Sequence, residues 1–483
     1  MSETRLLIVD VGSSALKAVL FGGSGETLAR TSQPIPTRSI DGRIHEQDPE
    51  DWWAALRSAV ADLPEPGSIS AIAFSGSMQN LIGINPDGRP VGPAVLYSDR
   101  RLDDDEVAEL AKRLPDDYPR RAGNRLDAAH TILKLMTRDR HAPTAGGRAV
   151  LWTFGSKDAL TLRLTGKAVI DPTTATTSGL MDFATRAWNP DLLSLARVDA
   201  AELPRIAPAN AIVGHVTQAA ANETRLPAGI PVYNGSGDAG AATWGASADA
   251  PGAAYCYLGT TGWVAATLPD EAAAPPRDIY TLADPVRGHH SIIISPFLTA
   301  GAALDWLASS LPSTMEELLA AAQADDRSPG TALFLPYLGG ERAPFEDSGV
   351  RAAFLGLSGS DGAGALALAV LEGIAFAVRH NLETAGLPCS TLTVIGGAAR
   401  HPLQQQVLAD AIGREIAVPV DSEAMTAKGV LRMVADAAGV RLERSEPAGV
   451  IKPRPERAAR HRRRYAAYLA ASSFARELAG KLG

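Results

Sequence analysis

The chain contains one kind of glycine- and hydroxyl-rich turn twice, about half its length apart. Gly12-Ser13-Ser14 follows the apolar run at 6–11, and Gly259-Thr260-Thr261 follows the run at 253–258. Such turns let backbone N–H groups converge on an anion without a Cβ in the way, and the hydroxyls add donors. A single turn of this kind would need no functional explanation, because small polar residues fill hairpin bends for steric reasons. The repetition of the turn, with Asp10 at the end of the strand before the first copy, favours a functional interpretation in which the two turns hold one polyphosphate.

Length and charge limit the class of protein. A chain of 483 residues is too long for one ordinary core, so two domains of similar size are expected. Its 46 basic and 54 acidic side chains give a net charge of −8, which provides no general attraction to nucleic acid or to an anionic membrane. A small-molecule partner is therefore predicted.

The cysteines and the apolar runs indicate the compartment. Cys256 and Cys389 belong to no Cys-x-x-Cys pair and are interpreted as buried thiols of a reducing compartment. Asp10 and Gly12 interrupt the first apolar run, so no secretory signal is expected. No stretch is expected to be long and apolar enough to span a bilayer. The protein is predicted to be cytoplasmic.

Strand-like runs alternate with helix-like runs, which predicts an α/β protein. Two of the strands lead into polar residues, and ligands of α/β sheets are often met just past strand ends. Met78, Gln79, Asp99 and Arg100 are therefore candidate substrate contacts. Three of them also have an ordinary interpretation: Met78 as core filler, and Asp99 with Arg100 as a solvated turn.

Residues 230–245 predict a strand, a tight turn and a helix of small residues, and the domain boundary is placed so that the domains are 1–246 and 247–483. Asp238 lies at this seam, either as a helix N-cap or as a general base that aligns a substrate hydroxyl for attack on phosphorus. The glycines of this turn also fit a dinucleotide fingerprint. A carboxylate where the pyrophosphate would lie, and the lack of an acid at the end of the next strand, count against NAD.

A second glycine turn follows the strand-like run that ends at Ile395. Gly396, Gly397, Ala398 and Ala399 offer a surface with little side chain, against which a flat base or a ribose could lie. A Gly-Gly pair also ends many strands for structural reasons alone. The basic cluster Arg457 through Arg464 is interpreted as the solvated face of a C-terminal helix.

Taken in order, these segments resemble the FGGY carbohydrate kinase family, which shares the actin, Hsp70 and hexokinase ATPase fold, and most of all its xylulose kinases. The resemblance covers nearly the whole chain. Its carriers are the hairpin from Asp10 to Lys17, the runs 46–53, 75–78 and 97–100, Gly235-Ser236-Gly237-Asp238, Gly259-Thr260-Thr261, the run 335–344 and Gly396-Gly397-Ala398. It implies two ribonuclease H-like domains with an interdomain cleft that closes on ATP and a sugar.

The resemblance also implies roles for individual residues. Asp238 matches the catalytic aspartate, Asp10 would help to hold Mg²⁺, and Met78 and Asp99 match sugar-pocket positions, with Gln79 and Arg100 beside them. The remaining matches concern ATP: Gly12, Ser13, Ser14 and Lys17, then Gly259, Thr260 and Thr261 for the phosphates, and Gly396, Gly397, Ala398 and Ala399 for adenosine.

Some residues depart from the xylulose kinase pattern. Gln79 stands where those kinases usually have His, and Ala239 where they usually have Asn. Gln404 replaces a usual tryptophan, and the segment from Glu423 to Gly429 is one residue longer.

The expected function is ATP-dependent phosphorylation of a terminal hydroxyl of a ketopentose, with another sugar, a polyol or an aldonate as alternative substrates. An NAD-linked oxidoreductase and a non-catalytic ATP-binding protein are the rival classes. The oligomeric state is left open, a homodimer included.

Overall fold

The structure is a computed structural model that describes residues 4–126, 128–141, 149–269, 279–326, 330–387, 389–397, 400–419, 424–442 and 449–482. Its contacts divide the chain into two compact units. The first unit comprises Met1–Gly245, Thr281–Ile292 and Ala424–Arg444, and the second comprises Ala246–Tyr280, Ile293–Glu423 and Ser445–Gly483. The sequence instead predicts two contiguous domains that meet after residue 246, and this division stays a prediction.

The strands alternate with helices along most of the chain, as the sequence predicts for an α/β protein. In chain order they are β1 (Leu6–Val11), β2 (Ala15–Phe21), β3 (Thr27–Pro34), β4 (Arg38–Ile40), β5 (Ile44–Gln47), β6 (Ala71–Gly76), β7 (Ile82–Ile84), β8 (Ala94–Val95), β9 (Leu151–Thr153), β10 (Val169–Ile170), β11 (Met181–Asp182), β12 (Ala187–Trp188), β13 (Arg205–Ile206), β14 (Ile212–His215), β15 (Pro231–Gly237), β16 (Ala254–Leu258), β17 (Gly262–Pro269), β18 (Tyr280–Ala283), β19 (His290–Phe297), β20 (Leu333–Leu335), β21 (Ala353–Leu355), β22 (Thr391–Ile395), β23 (Glu415–Val418) and β24 (Gly449–Ile451).

The helices vary from single turns to the long α13 and α16. In chain order they are α1 (Pro49–Ala61), α2 (Asp104–Ala111), α3 (Tyr118–Ala122), α4 (Thr131–Met136), α5 (Arg138–His141), α6 (Ser156–Thr165), α7 (Pro172–Thr177), α8 (Pro190–Ala196), α9 (Gln218–Thr224), α10 (Asp238–Gly245), α11 (Gly301–Ser310), α12 (Met315–Asp325), α13 (Ala363–Thr384), α14 (Pro402–Ile412), α15 (Met425–Ala438) and α16 (Ala458–Leu482), with short 3₁₀ turns at Pro66–Ser68, Ala200–Glu202 and Pro455–Arg457.

The first unit is built on a six-stranded sheet with the order β14-β15-β6-β1-β2-β3. β1 runs parallel to β6 and antiparallel to β2, and β6 runs parallel to β15. Side chains of a strand alternate between the two faces of a sheet. Leu7 and Val9 accordingly belong to the core that contains α1, whereas Leu6 and Ile8 belong to the core that contains α15. Helices therefore cover both faces, which explains the almost continuous apolar sequence of β1.

The second unit is built on a seven-stranded sheet with the order β18-β19-β17-β16-β22-β23-β24. β16, β22 and β23 are parallel neighbours, and α13 supplies much of the core that packs against them. By length and composition α13 could cross a membrane, so the sequence prediction that no such stretch exists is wrong. Its most apolar window is 72% buried inside the protein, which is typical of a core helix.

Candidate functional site

The parallel strands of the first unit bring three of its chain segments together at their carboxyl ends. The strand register pairs Asp10 of β1 with Ser75 of β6, and Ser75 with Ser236 of β15. Neighbouring strands are about 4.8 Å apart, so Asp10 and Ser236 are about 10 Å apart across the sheet. Because α10 begins directly after β15, Asp238 lies at the same edge of the sheet as Asp10. The structure thus brings the two predicted acids into one region.

Asp10 has one carboxylate oxygen that the protein leaves unsatisfied. Its Oδ1 is buried and has no hydrogen-bond partner among the described residues. Burial raises the pKa of Asp10 to about 6, whereas the Lys17 ammonium and the neighbouring Ser75 hydroxyl lower it. An unpaired buried carboxylate oxygen is costly unless a cation or a proton accompanies it. This environment fits a residue that helps to hold a divalent cation.

Asp238 is the first residue of α10, and its Oδ1 accepts the N–H of Ala239 at 2.8 Å. Burial raises the pKa of Asp238 to about 7, and the negative charges of Asp10 and Asp171 add to this effect. The side chain nevertheless keeps an exposed surface, so solvent screens part of the shift in pKa. An accessible carboxylate with a raised pKa is suited to accept a proton near neutral pH.

The first glycine turn closes between β1 and β2 with a hydrogen bond of 3.1 Å from Gly12 N to Ala15 O. The side chains of Ser13 and Ser14 are exposed, as is that of Lys17. The Ser13 carbonyl accepts the Gln47 side-chain amide at 2.6 Å, and the Ser14 carbonyl accepts the Ile35 N–H at 2.9 Å. With its carbonyls anchored in this way, the turn presents hydroxyls and an ammonium group to solvent, which are groups that bind phosphate.

Packing accounts for Gly235 and Gly237 without a dinucleotide. Gly235 has a φ of +67° where β15 shifts register, and a Cβ there would lie 1.7 Å from the Phe74 carbonyl oxygen. A Cβ on Gly237 would lie 2.1 Å from the sulfur of Met78. Met78 therefore packs against the residue that precedes Asp238.

The segment that contains Asp99 and Arg100 follows β8. Asp99 is buried, and each of its carboxylate oxygens accepts two hydrogen bonds: Oδ1 from the N–H and Nε of Arg101, and Oδ2 from His45 N and Arg101 Nη2. These partners, Arg101 first, hold the pKa of Asp99 below its ordinary value against the opposing effect of burial. Arg100 is exposed, and its N–H donates to Arg43 O at 2.7 Å. A direct sugar contact by Asp99 stays a prediction, and in this conformation its oxygens are fully occupied.

Beneath Asp238 lies a buried ionic cluster that no sequence motif indicates. Lys157 Nζ lies 2.7 Å from Asp158 Oδ1 and 3.0 Å from Asp171 Oδ1, and all three side chains are almost completely buried. Asp171 Oδ1 also accepts the Gly237 N–H at 3.2 Å, so the cluster is bonded to the backbone next to Asp238. The only sequence signal was Asp171-Pro172, the start of a helix. Asp171 is indeed the N-cap of α7 and accepts the Thr174 N–H.

In the second unit, the other glycine turn is held by the beginning of a helix. Gly259 N donates to Thr261 O at 2.9 Å, and the side chains of Thr260 and Thr261 are exposed. The N–H of Gly301 at the start of α11 donates to Gly259 O at 2.8 Å, and the N–H of Ala302 donates to Thr260 O at 3.2 Å. As in the first turn, the carbonyls are anchored and the hydroxyls are presented to solvent.

Gly396 lies beside this second turn. β22 pairs with β16 so that Ile395 is opposite Tyr257, and both chains leave the sheet at the same edge. Gly396 has a φ of +103°, and a Cβ there would lie 2.3 Å from Leu258 O. The close approach of these two backbones requires glycine. Gly397 has open space around its Cα, whereas Ala398 and Ala399 lie outside the described residues.

Comparison with known proteins covers both units. The sequence model for the FGGY family of carbohydrate kinases matches residues 5–245 with its N-terminal domain and residues 254–438 with its C-terminal domain. Xylulose kinase of Escherichia coli (strain K12) is 30% identical over 439 residues, which are 89% of this chain and 89% of that protein.

Solved structures agree with the sequence comparison. The crystal structure of xylulose kinase from Rhodospirillum rubrum matches with a TM-score of 0.87 at 26% identity and covers 99% of this chain and 100% of that chain. Gluconate kinase from Lactobacillus acidophilus matches with a TM-score of 0.87 at 22% identity over 100% of both chains, which supports the fold alone. Kinases with different named substrates therefore share this fold.

Proposed function

The chain belongs to the FGGY family of carbohydrate kinases, and we propose on this basis that it transfers the γ-phosphoryl group of ATP to a terminal hydroxyl of a ketopentose. Family membership confirms the resemblance found in the sequence and makes the protein a phosphotransferase, which decides against an NAD-linked oxidoreductase and a non-catalytic ATP-binding protein. The names of its relatives favour xylulose. Because Gln79 and Ala239 depart from the xylulose kinase pattern, another sugar, a polyol or an aldonate is the second candidate.

One observation carries the proposed mechanism: Asp238 has an accessible carboxylate with a raised pKa at the same sheet edge as Asp10. In its ionised form Asp238 accepts the proton of the substrate hydroxyl while the hydroxyl oxygen attacks the γ-phosphorus. The bond from this phosphorus to the bridging oxygen breaks, and ADP leaves with the electron pair. The proton stays on Asp238 until the sugar phosphate departs.

Mg²⁺ is the cation expected with ATP. Among the described residues no cluster of three or more His, Cys, Asp or Glu side chains could hold a metal ion. Magnesium usually relies on one or two carboxylates together with water and substrate phosphates, so this finding fits a magnesium–nucleotide complex. Asp10, with its unpaired Oδ1, would hold it directly or through water. The ion would neutralise phosphate charge in the transition state.

The remaining residues would bind ATP. Both glycine turns present hydroxyls and have anchored carbonyls, so we assign phosphate binding to Gly12, Ser13 and Ser14 with Lys17, and to Gly259, Thr260 and Thr261. Adenosine binding is assigned to Gly396 and Gly397 with Ala398 and Ala399. ATP supply and the free, buried thiols of Cys256 and Cys389 favour a cytoplasmic location, and assembly as a homodimer stays a prediction.

The test is ADP release measured over a panel of ketoses, polyols and aldonates, with the wild type beside Asp238→Asn. A sugar-dependent signal is expected, and the substitution should lower kcat by about a thousandfold or more while ATP binding persists. Asp116→Asn is the matched control, since Asp116 is exposed in the same unit. A wild type that releases ADP equally with and without every compound would contradict the kinase proposal.

A further inference from the structure

Lys134 is a buried lysine that joins two segments of the candidate sugar site. It lies on α4, with 6% of its surface exposed. Its ammonium donates to the Gln79 carbonyl at 2.6 Å and to the Leu96 carbonyl at 2.7 Å. Lysine is rarely buried, because its charge must then be compensated by hydrogen bonds. The two carbonyls belong to segments that follow different strands, so one side chain fixes the distance between them.

Gln79 adopts a backbone conformation that it would not favour by itself. Its φ is +61°, in the left-handed region, which only glycine adopts freely and which Asn and Asp tolerate better than Gln. A strained residue of this kind persists where surrounding interactions impose it, often at a functional site. The direction of the Gln79 carbonyl follows from the backbone angles of Gln79. A hydrogen bond from Lys134 to this oxygen therefore stabilises the left-handed conformation.

Further hydrogen bonds make the two segments one structural element. Asn80 is fully buried, and its Oδ1 accepts the Tyr97 N–H at 3.2 Å. Leu81 and Val95 exchange two backbone hydrogen bonds, of 2.8 and 3.0 Å. The element also includes Met78, whose sulfur packs against Gly237. The orientation of Gln79 is thereby fixed relative to Asp238, the residue after Gly237.

We propose that Lys134 is a positioning residue for the sugar site. It holds Gln79 in the left-handed conformation and so fixes where the Gln79 amide meets the substrate. This inference rests on the proposed kinase function, since it assigns the amide a sugar hydroxyl as partner. Gln79 stands where xylulose kinases usually carry His. Selectivity among sugars therefore depends on the Gln79 side-chain amide, which Lys134 positions.

A double-mutant cycle tests this role. We compare the wild type, Lys134→Met, Gln79→Gly and the double variant, and measure kcat and both KM values with the best sugar of the panel. Lys134→Met is expected to raise the sugar KM about tenfold in the wild-type background and less than about threefold in the Gln79→Gly background, because glycine adopts the left-handed conformation without help. The KM for ATP should stay within about twofold throughout.

Two further variants keep the test decisive. Lys112→Met replaces an exposed lysine at the end of α2 and should leave both KM values unchanged. Lys134→Gln keeps an amide donor and is used if Lys134→Met does not fold, as judged by thermal unfolding. An equal rise of the sugar KM in both backgrounds, an unchanged sugar KM, or failure of both Lys134 variants to fold would overturn the proposal. Absence of sugar-dependent ADP release by the wild type would instead overturn the kinase function.

Discussion

At the scale of single residues, proton affinity decides which carboxylate can act as a base. Burial raises the pKa of Asp238 to about 7, with contributions from the charges of Asp10 and Asp171. Asp99 has the opposite environment, because the hydrogen bonds from Arg101 and His45 outweigh burial and hold its pKa below the ordinary value. Of the two, only Asp238 is poised to exchange a proton near neutral pH.

The activity should therefore depend on pH through Asp238. Protonated Asp238 cannot accept the substrate proton, so kcat/KM for the sugar is expected to fall as the pH drops below about 7. Solvent around the side chain, and a cation beside Asp10, both favour the ionised form and move this acid limb to lower pH. The profile is measured by ADP release at saturating ATP, with Asp116→Asn as the control. An acid limb at the ordinary value of 3.8 would contradict the assignment of Asp238 as the base.

Sequence patterns place residues along the chain, but they do not show which side-chain atoms already form hydrogen bonds with residues distant in sequence. Asp10 is predicted at the end of a strand and Asp238 in the turn that follows one; in the structure Asp10 lies in β1, and Asp238 is the first residue of α10, directly after β15. The saturation of Asp99 could not be predicted, because one of its partners, His45, lies far from it in sequence. Lys134 is missed for the same reason, since its acceptor carbonyls belong to Gln79 and Leu96.

At the scale of elements, local signals predict well and long-range ion pairs do not. Asp48-Pro49 followed by acids is a typical helix start, and Asp48 indeed accepts the Glu50 N–H as the N-cap of α1. The prediction of a solvated basic face on α16 is wrong in part. Arg460 and Arg464 bond to the buried Glu372 of α13, which lies about ninety residues earlier. The local sequence of the basic cluster does not include Glu372, so its composition alone predicts an exposed face.

The junction of β15 and α10 should depend on Asp171. Asp171→Asn keeps an acceptor for Gly237 N–H but loses its charged partner Lys157, so we expect a loss of about 2 kcal/mol of unfolding free energy. Displacement of Asp238 should lower kcat about tenfold and leave the ATP KM within about twofold. Chemical unfolding and steady-state kinetics measure the two effects.

Asp103→Asn is the matched control for this change. Asp103 is also an N-cap, accepting the Glu106 N–H at the start of α2, and Asn caps a helix as well as Asp does. Stability and kcat should therefore both be preserved in this control. Loss of stability in Asp171→Asn without any change in kcat would show that Asp171 supports the fold but does not position Asp238.

At the scale of the whole molecule, the segment Ala424–Arg444 belongs to the first unit although it follows most of the second unit in sequence. α15 belongs to the first unit and packs against α10 so closely that a Cβ on Gly429 would lie 1.8 Å from the Ala241 carbonyl oxygen. No local pattern predicts this placement of α15, because α10 and α15 are separated by about 180 residues. Helix and strand periods identify elements, whereas the pairing of distant elements depends on complementary surfaces that a single sequence does not reveal.

This placement of α15 predicts that residues 1–246 alone do not form a stable domain. α15 buries Val430, Leu431, Met433 and Val434 in the core that also contains Leu6 and Ile8. At about 2 kcal/mol for each side chain, their loss removes about 8 kcal/mol, which is comparable with the total stability of a typical domain. The fragment should therefore lack a cooperative thermal transition by circular dichroism and be degraded quickly by protease. Joining residues 424–442 to it through a flexible linker should restore both properties in part, whereas a cooperative transition in the unjoined fragment would show that α15 is dispensable for this core.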